Sequence, residues 1–317
     1  MSSNPAVIRS PYAQPGHERL IELCQAAAAD LPSLDCLAYY DRNLHAFTVD
    51  RTGDQAALKG YETAFRQLVG DVRRFDDLLR DLGTGDLMRT VVETAEGAVY
   101  CGHVFAEEFL VGATRRQAGV DSMDEGVGEL VTRIRKTVYK QADQLPGGDR
   151  EQRAGPLDQA SPVRMTAAAT LDAELAEPLT GLLRTAVNTG DLHYVALHLD
   201  WSFAFSADVF DQPALAHWFK GETAPEGRRK QYLDVAARLR ADLPELAYSL
   251  RLFSEQPVRR IVFDVVAGAL YVYPLAPRRG FVLGLTLHQP EVYAAEQRLR
   301  PVVRQIEELL RPEHLDR

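Results

Sequence analysis

Cys101 and His103 stand two apart on a predicted strand, so both side chains point to one face. That is the geometry of a nucleophile pair or of half a metal site. No third ligand stands nearby in sequence, and two core side chains are the reading taken. Cys36 and Tyr40 share a strand face in the same way. His193 and His198, five apart on a strand, face opposite sides and cannot share a metal locally. Gly97-x4-Gly102 has P-loop spacing, but His103 follows where Lys and Ser/Thr are required, and the pattern falls in a predicted hairpin. Asp121, Asp124 and Glu125 could act as paired carboxylates in acid–base chemistry. They also open a predicted helix, where acids favour the positive end of the dipole, and that reading is taken. Arg115 and Arg116 follow a predicted strand, as an arginine finger acting on a phosphoryl group would. The matching positions in the second half hold Leu287 and His288. No GxSxG, HExxH, helix-opening GxGxxG or EF-hand spacing occurs. The expectation is a non-enzymatic chain with no cofactor and no metal.

The elements that carry these residues repeat. FLVGATRRQAGV at Phe109–Val120 returns as FVLGLTLHQPEV at Phe281–Val292. Phe109, Gly112, Thr114, Gln117 and Val120 align with Phe281, Gly284, Thr286, Gln289 and Val292 at one offset. Upstream, Gly97-Ala98-Val99-Tyr100 aligns with Gly268-Ala269-Leu270-Tyr271, and Leu20, Leu23, Ala27 and Asp41 align with Leu179, Leu182, Ala186 and Asp200. The matches are collinear, so the chain reads as a tandem duplication of whole domains.

In the first copy, Leu20, Leu23, Cys24 and Ala27 give a helix over about 17–30. Asp35–Asp41 and Leu44–Asp50 read as a hairpin around Arg42-Asn43. A long helix over about 55–82 follows, behind a cap at Thr52-Gly53-Asp54. Three strands come next, Leu87–Thr94, Ala98–Phe105 and Phe109–Thr114, then a closing helix over about 122–141. The second copy reads as a helix over 171–189, a hairpin of 192–200 and 203–209, a middle helix split into 213–219 and 231–243, strands at 247–254, 258–266, 270–275 and 281–287, and a helix over 292–310. Pro225 and its flanking glycines in GETAPEGRR, Gly221–Arg229, are expected to break that middle helix. The expected organisation is a flexible tail at 1–16, domains at 17–142 and 171–317, and a linker at 143–170 rich in Pro, Gly, Asp and Gln. The fold class is α+β: two repeated domains, each a five-stranded antiparallel sheet with flanking helices in the order α-β-β-α-β-β-β-α.

The 317 residues carry a formal net charge of -9, which argues against a nucleic-acid or anionic-membrane surface as the main partner. Basic runs at Arg73-Arg74, Arg115-Arg116, Arg228-Arg229-Lys230 and Arg278-Arg279 sit among acids and are expected to be solvated faces. The opening residues lack an apolar core of signal-peptide length. No stretch reaches a membrane span of about 20 apolar residues. Cys24, Cys36 and Cys101 show neither even parity nor CxxC spacing. A cytoplasmic protein with reduced thiols is expected. On the middle helix, Tyr61, Phe65, Leu68, Val72 and Phe75 make a broad apolar face, widened by Leu58, Ala64, Leu78 and Leu79. A stripe that wide asks for a second packed partner besides its own sheet.

The element order, the pattern Val91–Val99 with its acidic turn and Gly97, and Phe109-Leu110-Val111-Gly112 leading into the last helix together resemble the Roadblock, or dynein-light-chain-like, family and related profilin-like sheets. The resemblance covers most of 17–142 and, less closely, 171–311. It implies sheets that pair edge to edge with their middle helices packed together, either within one chain or in a homodimer. It also implies non-catalytic scaffolds and regulators, often of small Ras-like GTPases, with a GTPase or another Roadblock-type protein as partner. Two other classes share helix-flanked antiparallel sheets. A small-molecule-sensing regulatory protein would have a deep pocket with convergent polar groups. A secretion-chaperone-like dimer would have an open groove for an unfolded segment.

Overall fold

The computed structural model describes residues 5–144, 146–155, 162–219, 224–275 and 280–311. Arg278-Arg279, part of the expected linker and Gly221–Thr223 of the expected insertion lie outside the described residues. The chain is α+β, with every recorded strand pairing antiparallel. It divides into two compact units: Met1–Pro146 with Asp242–Val266, and Gly147–Ala241 with Ala267–Arg317.

The first unit contains β1 (Ala6–Arg9), α1 (Glu18–Asp30), β2 (Cys36–Asp41), β3 (Leu44–Asp50), α2 (Gln55–Arg80), β4 (Leu87–Thr94), β5 (Ala98–Phe105), β6 (Glu108–Thr114) and α3 (Val120–Thr137). From the second half of the chain it takes the end of α5 (Pro225–Leu250) and all of β10 (Val258–Val265). Its strands run in the order β1-β3-β2-β6-β5-β4-β10. Arg42 and Asn43 both have positive φ, 48° and 65°, as a two-residue hairpin turn requires. Asp54 caps α2 by accepting from the amides of Ala56 and Ala57. Residues alternate between the faces of the sheet, and this places the helices. A Cβ on Gly102 or Gly112 would meet Val131 or Val127 of α3. Phe109, of opposite parity to Gly112, lies under the guanidinium of Arg73 of α2. The two helices therefore cover opposite faces of the sheet.

The second unit contains β7 (Arg164–Ala167), α4 (Ala173–Ala186), β8 (Tyr194–Leu199), β9 (Ser202–Asp208), the start of α5, β11 (Gly268–Leu275), β12 (Gly280–Thr286) and α6 (Val292–Leu309). Its strand order is β11-β12-β8-β9-β7. This matches β5-β6-β2-β3-β1 strand for strand. α4 packs on α6, and Tyr232 of α5 is buried beside Tyr194 and Phe210.

Several expectations need correction. Neither unit is the five-stranded repeat that was expected. Among the described residues the first has seven strands, and the second reaches five only by including β7 and leaving β10 to the first. The tail at 1–16 contains β1, which pairs β3, and the linker at 143–170 contains β7, which pairs β9 in the equivalent register. Four-residue edge strands are too short for periodicity to reveal. The second copy's middle helix comes in two pieces, as expected, but with other bounds. A 3-10 helix over Pro213–Trp218 precedes α5, which starts earlier and runs further than expected. α5 has 26 residues, as α2 has, because Pro225 opens it, where a missing N–H costs nothing. Residues 247–254 are the end of that helix and its exit turn, not a strand. Leu239, Leu243, Leu246 and Leu250 continue one buried stripe through Pro244.

Gly97 and Gly268 show why both copies keep glycine at the end of this turn. A Cβ at Gly97 would stand 1.9 Å from the carbonyl oxygen of Thr114, and one at Gly268 would stand 2.1 Å from that of Thr286. The neighbouring backbone leaves no room for a side chain there.

Candidate functional site: the β4–β10 pair and its covering helices

β4 and β10 pair in antiparallel register, with Arg89 opposite Asp264, Val91 opposite Val262 and Glu93 opposite Arg260. By the repeat's own offset, the one that relates Gly97 to Gly268, Arg89 is equivalent to Arg260, Val91 to Val262 and Glu93 to Asp264. Equivalent valines thus face each other, and each arginine faces the acid equivalent to its own copy's acid. This is the pattern of an isologous contact about a local two-fold axis through Val91 and Val262.

The charges at this axis are buried. Arg89 is 2% exposed, Arg260 3% and Asp264 0%. Arg89 Nη1 donates to Asp124 Oδ1 at 2.6 Å, and its Nε lies 3.2 Å from Asp264 Oδ2. Arg260 Nε lies 2.6 Å from Glu93 Oε2. Burial alone pulls the Arg89 guanidinium down, but Asp124 and Asp264 outweigh it and hold its pKa above the ordinary value.

The sequence's interface candidates lie beside this pair. Tyr61, Phe65, Leu68, Val72 and Phe75 are all buried. Tyr61 meets Phe253 at 5.5 Å between ring centroids, and Phe75 meets Phe263 of β10 at 4.6 Å. A Cβ on Gly60 would stand 3.0 Å from the carbonyl of Leu252, so glycine there admits the exit turn of α5. Arg74 holds Asp71 at 3.0 Å, Glu245 at 2.7 Å and Asp242 at 3.5 Å. The second copy's segment 242–263 thus covers the face of α2 that the sequence left exposed.

The other candidates fall apart as chemistry. Cys101 is fully buried, and burial pushes its thiol up, well away from reactivity. His103 Nε2 bonds the Ala106 carbonyl at 2.6 Å instead of joining Cys101. Among the described residues, no group of three His, Cys, Asp or Glu could hold a metal ion. Arg116 is tied to Asp35 and the Pro32 carbonyl, and Arg115 is exposed. Asp121 and Glu125 are exposed at the start of α3, but Asp124 turns inward to Arg89 and is not a helix-end acid alone. His193 and His198 are both buried. Burial lowers each to about 4, and His193 Nδ1 accepts from the Leu287 amide at 3.1 Å.

Sequence reasoning missed Arg89, Glu93, Asp124, Arg260 and Asp264. A signal was present. An arginine and an acid four residues on interrupt apolar strands in both copies, and a buried acid recurs on the closing helix as Asp124 and Glu296. Among the described residues no helix is long and apolar enough to cross a membrane. Compared with protein-family models and with curated proteins, the chain matches none.

Proposed function

We propose that the chain is a non-enzymatic interaction module of Roadblock type, with its two repeats paired inside one molecule. The observation that carries this reading is the reciprocal pairing of equivalent residues across β4 and β10. Isologous self-recognition of an edge strand is what a homodimer of single repeats would use, and tandem duplication would convert it to a contact in cis. On this reading Tyr61, Phe65, Leu68, Val72 and Phe75 form the pairing face, already occupied. The partner, a small Ras-like GTPase or another Roadblock-type protein, docks on a remaining helix face or sheet edge and is biased toward one switch conformation.

Two measurements on the full chain test it. Light scattering on a sizing column is expected to give a monomer of 35.3 kDa. A dimer would place the pairing surface between chains. Titration calorimetry against purified Ras-like GTPases, loaded with GDP or a non-hydrolysable GTP analogue, is expected to show binding that differs between nucleotide states. Equal or no binding across the panel would sink the GTPase reading.

A further inference from the structure

A groove of 590 Å³ in the first unit runs between the C-terminal half of α2, the start of β4, the β5–β6 hairpin and α3. That volume lies within the range of small-molecule sites. Its walls include Val72, Leu87, Phe105 and Phe109. Most of its charges are already matched: Arg80 holds Asp76 and Asp77, and Arg73 lies 3.6 Å from Glu107.

Among the described residues Asp86 is a lining carboxylate without an ion pair, and the unpaired cation is Arg135. It lines the groove from α3 and is only 9% exposed. Its Nη1 donates to the Val104 carbonyl at 2.7 Å, and its buried Nε has no acceptor. Among the described residues no carboxylate pairs with it. Burial pulls its pKa below the ordinary value, with no anion to offset the cost. A buried guanidinium is expensive unless an anion matches it, and a planar fork favours a carboxylate. The equivalent position in the second copy is Glu307, which is exposed, so the repeat does not require an arginine here.

We infer that the groove binds a small organic acid, its carboxylate on Arg135 and its apolar body against Phe105 and Phe109. The site goes beyond the interaction reading and stands or falls separately from it.

The probe is 4-phenylbutyrate, with 4-phenylbutyramide as the neutral control, titrated into the full chain. Binding is followed by the Arg135 Nε–H resonance and by calorimetry. The acid is expected to saturate with a Kd at or below about 1 mM, to shift the Arg135 resonance, and to bind at least about tenfold tighter than the amide. Arg135→Gln is expected to remove that preference, while Arg66→Gln, on an exposed pair elsewhere on α2, leaves it intact. The wild-type resonance provides the test even if Arg135→Gln fails to fold. Equal binding of acid and amide, no shift at Arg135, the same shift with chloride, or a shift only with an acidic peptide would each overturn the assignment.

Discussion

Replacing Arg89 by Met tests whether the charges at the local two-fold axis hold the first unit together. Arg89 is 2% exposed and contacts Asp124 at 2.6 Å and Asp264 at 3.2 Å. Methionine fills much of the volume but leaves two carboxylates, 5% and 0% exposed, without that cation. Breaking a buried pair by removing one partner costs about 3–5 kcal/mol, a large part of the 5–15 kcal/mol typical of a domain. Arg66→Met is the control. Its pair with Glu62 is 3.0 Å long, with side chains 55% and 42% exposed, so a change within about 0.5 kcal/mol is expected. The triple variant Arg89→Met, Asp124→Asn, Asp264→Asn should recover part of the loss, because near-isosteric neutral amides remove the two unpaired buried charges. Urea unfolding followed by far-UV circular dichroism gives the totals. Hydrogen exchange at the β4 and β10 amides localises them, which matters because both tryptophans, Trp201 and Trp218, lie in the second unit and report only on it. A loss below about 1 kcal/mol for Arg89→Met, or a triple variant no better than the single, would refute the reasoning.

Other perturbations follow from the same packing. His193 and His198 have folded pKa values lowered by burial to about 4, below the ordinary value near 6.5. Their stabilising neutral form is therefore complete above about pH 6.5. Stability falls by up to about 1.4 kcal/mol per pH unit for each as pH drops toward 4. Tryptophan-monitored urea midpoints of His198→Gln between pH 7 and 4.5 should fall less steeply than those of wild type, and equal slopes would contradict this. Gly97→Ala should destabilise by more than about 2 kcal/mol, because its Cβ would meet the Thr114 carbonyl at 1.9 Å. Gly70→Ala, exposed on α2 with nothing within 4 Å, should instead stabilise by about 0.5–1 kcal/mol. Thermal melts of the two variants moving in the same direction would count against both arguments. Removing the α2 cap with Asp54→Ala should cost about 1 kcal/mol, read as a lower urea midpoint.

The first copy was legible because its signals are local. Leu87–Thr94 and Ala98–Phe105 were placed to the residue, since the Gly83–Asp86 helix stop, the Glu96-Gly97 turn and the Ala106–Glu107 turn bound them. α5 was not, because Pro225 and Pro244 look alike in sequence, and only the buried stripe through Leu246 and Leu250 distinguishes a helix start and a tolerated interior proline from breaks. The candidate face on α2 was legible as too wide for one sheet. What covers it was not, because pairing of β4 with β10 joins positions far apart in sequence, and no periodicity encodes a partner. Asp124 was misread for the same reason: a helix-start acid and the counter-ion of a distant arginine have identical local sequence.

The two copies have kept the axis and changed its surroundings. Arginine and acid recur at 89, 93, 260 and 264, where each residue serves an isologous contact and a change on one side must be answered on the other. Away from the axis that constraint lapses. Asp35 accepts the Arg115 amide at 2.6 Å, and His193 at the equivalent place accepts the Leu287 amide at 3.1 Å. These are the same backbone hydrogen bond made by an acid in one copy and a neutral imidazole in the other. Arg135 and Glu307 differ still more, a buried cation against an exposed acid. If the repeats pair in cis as proposed, the tandem chain permits this, whereas a homodimer would have to carry the same residue at both places. A function needing one groove and one partner surface per molecule, rather than two related by symmetry, is therefore better served by the tandem chain than by a symmetric dimer of single repeats.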